Sequence, residues 1–145
     1  HSWDPRPVAG SAGLMPLTWH PAHESWGATQ FQRRFEKLTG RGARDEDYQA
    51  WLAVRVIGEA VTRSGKTDAD AIRAYLLSKD FEIAAFKGQK LTFRSWNGQL
   101  RQPILLGDGR ITVSVSPQDG YLHQHSPLDT LGTDAPETAC RAFGG

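Results

Sequence analysis

The chain has 145 residues, enough for one domain with a core. Its 17 basic and 16 acidic residues leave a net charge of +1, and no long-range field draws it to nucleic acid or to anionic lipid. One cysteine, Cys140, rules out an internal disulfide, cysteine-based zinc sites and haem attachment through paired cysteines, and as a surface thiol it could pair only with a partner.

Residues 1–20 carry Pro5, Pro7 and Pro16, with Gly10 and Gly13. Prolines at this density exclude a regular helix, and an extended piece over 12–18 fits between them. A first helix is expected from Pro21 to Thr39, with Phe31, Phe35 and Leu38 on one face and Gly40 as its stop. A second is expected from Asp45 to Ser64. Its acids Asp45, Glu46 and Asp47 suit the first turn, and Gly65 ends it. Trp51, Leu52, Val54, Val56, Ile57, Ala60 and Val61 predict burial on two sides. A third, short helix is expected over 68–78, with Thr67 and Asp70 spaced as a capping box and Ile72, Tyr75 and Leu76 facing inward.

Beyond residue 80 the hydrophobic period falls from near 3.6 to near 2. Leu91–Trp96 alternates as a half-buried strand, and Asn97-Gly98 is a turn signal. Pro103–Leu106 and Ile111–Val115 are further strands, with Asp108-Gly109 turning between them. Residues 116–145 are rich in Pro, Gly, Asp and Thr and are expected to form an irregular tail, with one strand at 121–124. Three helices followed by strands make an α/β arrangement. Few strands precede the helices for them to lie on, so the chain is expected to be part of something longer or of a tight oligomer.

No phosphate-binding loop, dinucleotide fingerprint or nucleophile elbow occurs in the sequence. No run of apolar residues is long enough to span a membrane. Two histidine pairs carry the metal possibility: His20 and His23 with Glu24 after them, and His123 with His125 alternating along the expected strand. Arg33, Arg34, Lys37, Arg41 and Arg44 are expected on a solvated face. Trp19, Tyr48 and Trp51 are the aromatic candidates for a cleft wall. Tyr48 and Trp51 lie three apart and share a helix face.

Asp47-Tyr48-Gln49-Ala50-Trp51-Leu52-Ala53-Val54 resembles the Tyr/Ala-rich helix of type I periplasmic solute-binding proteins of the branched-chain amino acid class. In that family it follows a helix with phenylalanines at Phe31 and Phe35 and a glycine at Gly40. A short helix like Ala71-Ile72-Arg73-Ala74-Tyr75-Leu76 comes next. A segment with Phe86, Gly88, Leu91, Phe93, Gly98 and Pro103 in the same order then follows. The runs Gly10–Pro16 with Trp19-His20, Trp96–Pro103, and Leu128–Gly132 are similar to the subgroup associated with pyrroloquinoline-quinone (PQQ)-dependent alcohol oxidation.

The resemblance implies the C-terminal part of a two-lobe α/β fold. Residues 1–20 would make an interlobe crossing, 21–80 the helices of one lobe, 81–115 strands returning to the other, and 116–145 the tail. It implies a periplasmic, non-catalytic component of an ABC-type transport or sensing system, with no cofactor of its own. Its partners would be a small-molecule ligand, the N-terminal remainder of the binding protein and an ABC permease. The implied ligand contacts are Trp51, Tyr48, Trp19 and His20. The alternatives are a metal-binding periplasmic accessory protein using the histidines, and a structural or interaction domain.

Overall fold

The computed structural model describes residues 13–24 and 27–143. The prolines Pro5 and Pro7, and most of the expected crossing, lie outside the described residues. The chain is mixed α/β, with three α-helices and two small antiparallel sheets among the described residues.

Strand β1, Met15–Leu17, comes first. The next residues do not start a helix. Pro21 instead sits in a tight turn closed by the His23 N–H on the His20 carbonyl. Helix α1 runs only over Ala28–Thr39, entered through Gly27 in the left-handed region (φ 81). The expected start at Pro21 was seven residues early, because the His20 ring fixes the turn: its Nδ1 accepts the Ala22 N–H. Phe31 is buried and Phe35 half-buried, but Leu38 is exposed.

Helix α2 spans Asp45–Ser64, as its terminal signals predict. The Asp47 carboxylate accepts the Arg44 N–H at 2.9 Å and holds Arg41 through two hydrogen bonds. Gly65 closes the helix at φ 64. Only one stripe of α2 is buried: Tyr48, Leu52, Val56 and Ala60, four residues apart. Val54 and Ile57, expected inside, are 73% and 53% exposed. Helix α3, Ala69–Leu76, is capped by Asp68, whose carboxylate accepts the Ala71 N–H, and not by the expected Thr67 box.

Strands β2 (Ile83–Ala84), β3 (Lys90–Phe93) and β4 (Leu100–Arg101) form one antiparallel sheet. Gly98, at φ 70, makes the β3–β4 turn. The core lies between this sheet and the helices, built from Trp19, Phe31, Tyr48, Leu52, Phe81, Ile83 and Leu91. The second sheet has the order β1-β5-β6, with β5 at Ile104–Gly107 and β6 at Thr112–Ser116. Asp108 makes the β5–β6 turn by accepting the Arg110 and Ile111 N–H groups. Leu17, Leu105 and Val115 are cross-strand partners and share a face. Leu105 is fully buried there, while Val113 and Val115, on the edge strand, are exposed.

The expected strand at 121–124 is absent. After β6 the chain forms two 3₁₀ turns, Pro127–Thr130 and Ala135–Glu137. The tail is nonetheless fastened. Asp129 Oδ1 accepts from Arg94 Nε at 2.8 Å and Arg101 Nε at 2.7 Å. Arg94 is 1% exposed and also donates to the Leu128 and Leu131 carbonyls. The two flanking guanidinium groups hold the Asp129 carboxyl below the usual carboxylate range against the opposing effect of burial. Trp96 Nε1 donates to the Thr133 carbonyl at 3.1 Å.

Removing one partner of a buried ion pair leaves the other charge uncompensated. Asp129→Ala leaves two guanidiniums so placed, and is expected to lower stability by about 3–5 kcal/mol. Urea denaturation measures that loss, and limited proteolysis under native conditions is expected to release fragments cut after β6.

Candidate ligand-binding site

Trp19 and Tyr48 stack, with ring centroids 4.7 Å apart and planes 11° off parallel. Phe31 meets both rings edge-on, at 4.8 Å and 5.7 Å. His23 closes the free edge of Trp19 at 5.8 Å. These geometries suit the ring quadrupoles and contribute beyond plain burial. Each polar handle is satisfied. The Trp19 indole donates to Gln32 Oε1 at 3.2 Å, and the Tyr48 hydroxyl donates to the Ala85 carbonyl at 2.7 Å. Burial raises the Tyr48 phenol pKa far above its ordinary value, so it stays neutral.

Asp45, in the first turn of α2, ties the β1 exit to this nest. Its Oδ1 accepts from the Thr18 hydroxyl at 2.6 Å and from the Trp19 N–H at 2.8 Å. One carboxylate thus starts a helix and positions an indole.

The four predicted contact residues separate here. Trp19 and Tyr48 are 1% and 0% exposed, so their rings are core and not wall. His20 is buried too. Its Nε2 lies 2.9 Å from the Asp108 carbonyl and its Nδ1 accepts from Ala22. These two contacts join the β5–β6 turn to the segment before α1. Trp51 alone of the four reaches the surface.

Trp51 packs on Phe31 at 4.8 Å and on Phe86 at 5.6 Å. It lines an open recess of about 640 Å³ with Ala50, Val54, Arg55, Gly58 and Glu59. A second recess of about 430 Å³, between Arg55 and the 84–90 segment, adjoins it. The Arg55 guanidinium carbon stands 5.7 Å from the Trp51 ring centroid. Phe86 has φ 60, a left-handed conformation that costs a bulky side chain energy. Gly88, also left-handed, completes the bend. Sequence reasoning missed Arg55 and Phe86. Arg55 was detectable, since it lies four residues after Trp51 on one helix face. Phe86 was not, because nothing local announces a left-handed phenylalanine.

Lys87 lies behind this wall, 4% exposed. Its Nζ donates to Gln102 Oε1 at 2.9 Å and to the Pro103 carbonyl at 2.8 Å, and stands 5.0 Å from the Tyr48 ring centroid. Burial pulls its pKa down to about 7, with the charge of Asp45 opposing. His23 is held below its ordinary value by burial, then by the charges of Lys87 and His20.

The metal candidates are not brought together. His20 has both ring nitrogens engaged, Glu24 is exposed, and His123 sits in the tail. His23 is buried. His123 Nε2 lies 3.3 Å from Asp134 Oδ2, and its ring centroid is 5.6 Å from that of His125. No group of three or more His, Cys, Asp or Glu among the described residues could hold a metal ion.

A lysine whose folded pKa lies below its unfolded value opposes folding most at low pH, and that cost fades as pH rises from about 7 towards the unfolded value. Thermal melts across that window are expected to show stability rising with pH through Lys87. In Lys87→Met that part of the rise is expected to vanish, and the wild-type-minus-variant difference isolates it from other titrating groups.

No protein-family model, no curated protein and no solved structure matches the chain.

Proposed function

We propose that the chain is the ligand-capturing part of a periplasmic solute-binding protein of type I, serving an ABC-type transport or sensing system. Its ligand would be a small molecule linked to PQQ-dependent alcohol oxidation, and the chain would do no chemistry on it. The observation that carries this reading is the Trp51 recess. A half-buried aromatic on a rigid helix faces open space beside a guanidinium and a bent wall at Phe86. Apolar floors with a few placed polar groups are what small-molecule sites are made of.

Two further features support it. The runs Trp96–Pro103 and Leu128–Gly132, far apart in sequence, meet through Arg101, Asp129 and Arg94. The chain also leaves the β1-β5-β6 sheet after Leu17, builds the helical unit and its sheet, and re-enters at Ile104. Two crossings of that kind suit a protein of two lobes, with this chain supplying the later part of both and an N-terminal remainder supplying the rest. On this reading Trp51 touches the ligand, while Trp19, Tyr48 and His20 hold Trp51 and the crossing in place. No helix among the described residues is long and apolar enough to cross a membrane, and the ABC permease would be a separate partner.

A thermal-shift screen against quinone cofactors, amino acids, alcohols and short organic acids tests the proposal. A true ligand at a hundredfold excess over its Kd is expected to raise the melting temperature by about 5–10 °C. Trp51→Ala is expected to abolish that shift. A screen in which no compound stabilises the chain overturns the reading, as does turnover of any of them.

A further inference from the structure

The recess at Trp51 has a charge and a shape that restrict its ligand. Four charged side chains border it and the adjoining recess. Glu59 is taken by Arg63, whose Nη2 lies 2.6 Å from Oε1. Lys90 is paired with Glu82. Lys87 is buried behind the wall and spends its ammonium on Gln102 and Pro103. Arg55 remains. Its nearest carboxylate oxygen among the described residues, on Glu59, is 3.9 Å away, beyond hydrogen-bond reach and on a carboxylate that Arg63 already holds. Among the described residues, the border therefore offers one guanidinium whose fork of donors makes no hydrogen bond to a carboxylate.

A second donor stands beside it. The Trp19 and Trp96 indoles donate to Gln32 and to Thr133, whereas the Trp51 N–H has no such partner among the described residues. The Trp51 indole N–H is also not among the buried unpaired side-chain atoms there, so it reaches the surface. Trp51 lines the first recess and Phe86 the adjoining one, their rings packed at 5.6 Å and tilted 33° to each other, and Arg55 borders both. Ring faces attract flat conjugated groups by stacking, and a guanidinium beside them takes a carboxylate through two parallel hydrogen bonds. The 5.7 Å between the guanidinium carbon and the Trp51 ring places both within the span of one aromatic acid.

We infer that the surface where the two recesses meet, at Trp51, Arg55 and Phe86, binds a planar, conjugated organic monoanion, its ring on the indole and its carboxylate on Arg55. The inference rests on the proposed role of this recess as the ligand site and adds the class of ligand. Selection acts on two separate properties. A neutral analogue leaves the guanidinium unmatched, and a saturated acid loses the ring contact.

Naphthoate serves as the probe, with naphthalenemethanol as the neutral analogue and cyclohexanecarboxylate as the saturated acid. Affinities are measured by calorimetry on the full chain. The site is read from the indole N–H signals in nuclear magnetic resonance, with Trp51 assigned through Trp51→Phe. Naphthoate is expected to move the Trp51 signal and to bind at least about tenfold more tightly than either analogue. Arg55→Gln is expected to weaken naphthoate by about tenfold and to leave naphthalenemethanol nearly unchanged, while Arg55→Lys recovers part of the loss. Arg55 lies on an exposed helix face, so these variants keep the fold.

Equal affinity for naphthoate and its alcohol, no effect of Arg55→Gln, or movement of an indole other than Trp51 overturns the inference. So does a failure of naphthoate where another class of compound binds at Trp51, and in that case the binding-protein reading stands. If nothing in the screen or among the probes binds, both fall.

Discussion

The stack of Trp19 on Tyr48 is the joint on which the rest of the molecule depends. One ring comes from the segment leaving β1, the other from the first turns of α2, and Phe31 of α1 seals their edges. Asp45 holds the same two elements through the backbone. The Tyr48 hydroxyl extends the joint to Ala85, next to β2. Three elements and a sheet therefore meet at one pair of rings. Trp51 and Phe86, which line the two adjoining recesses, rest on that pair or on Phe31.

A rigid foundation explains how the surface can carry strain. Phe86 keeps a left-handed backbone because its ring packs against both Phe31 and Trp51, and its neighbours Ala85 and Lys87 are both anchored in the interior. The surrounding contacts over-determine the bend. The buried ammonium of Lys87 works in the same place. It spans from the Tyr48 ring to the Pro103 carbonyl, so it connects the aromatic nest to the start of β5. Helical unit and second sheet are thus coupled through a group whose charge changes near neutrality.

The parts of this fold that were readable from sequence are those settled by neighbours a few residues away. Helix α2 matches its expected bounds because acids, Asp47 and Gly65 act within one turn of its ends. The turns at Gly98 and Asp108 were visible for the same reason. What stayed hidden depends on distant partners. The late start of α1 follows from His20, whose ring is held by a carbonyl 88 residues on. The tail, rich in turn residues, reads as irregular, yet Asp129 is locked by arginines 35 and 28 positions earlier. Of the aromatics chosen as cleft wall, periodicity placed Tyr48 and Trp51 on one face of α2. It could not tell that α1 and the Trp19 segment cover the first and leave the second open.

Strand β6 has a practical consequence of another kind. It ends its sheet in the order β1-β5-β6, so one side of its backbone has no strand beside it among the described residues. Its sequence, Thr-Val-Ser-Val-Ser, carries no charge, and Ile111, Val113 and Val115 are all substantially exposed. An uncharged, β-prone edge of this sort is a template for another copy's strand. These residues are separate from those lining the Trp51 recess, and a single lysine at Val113 would act as a gatekeeper without touching the aromatic joint.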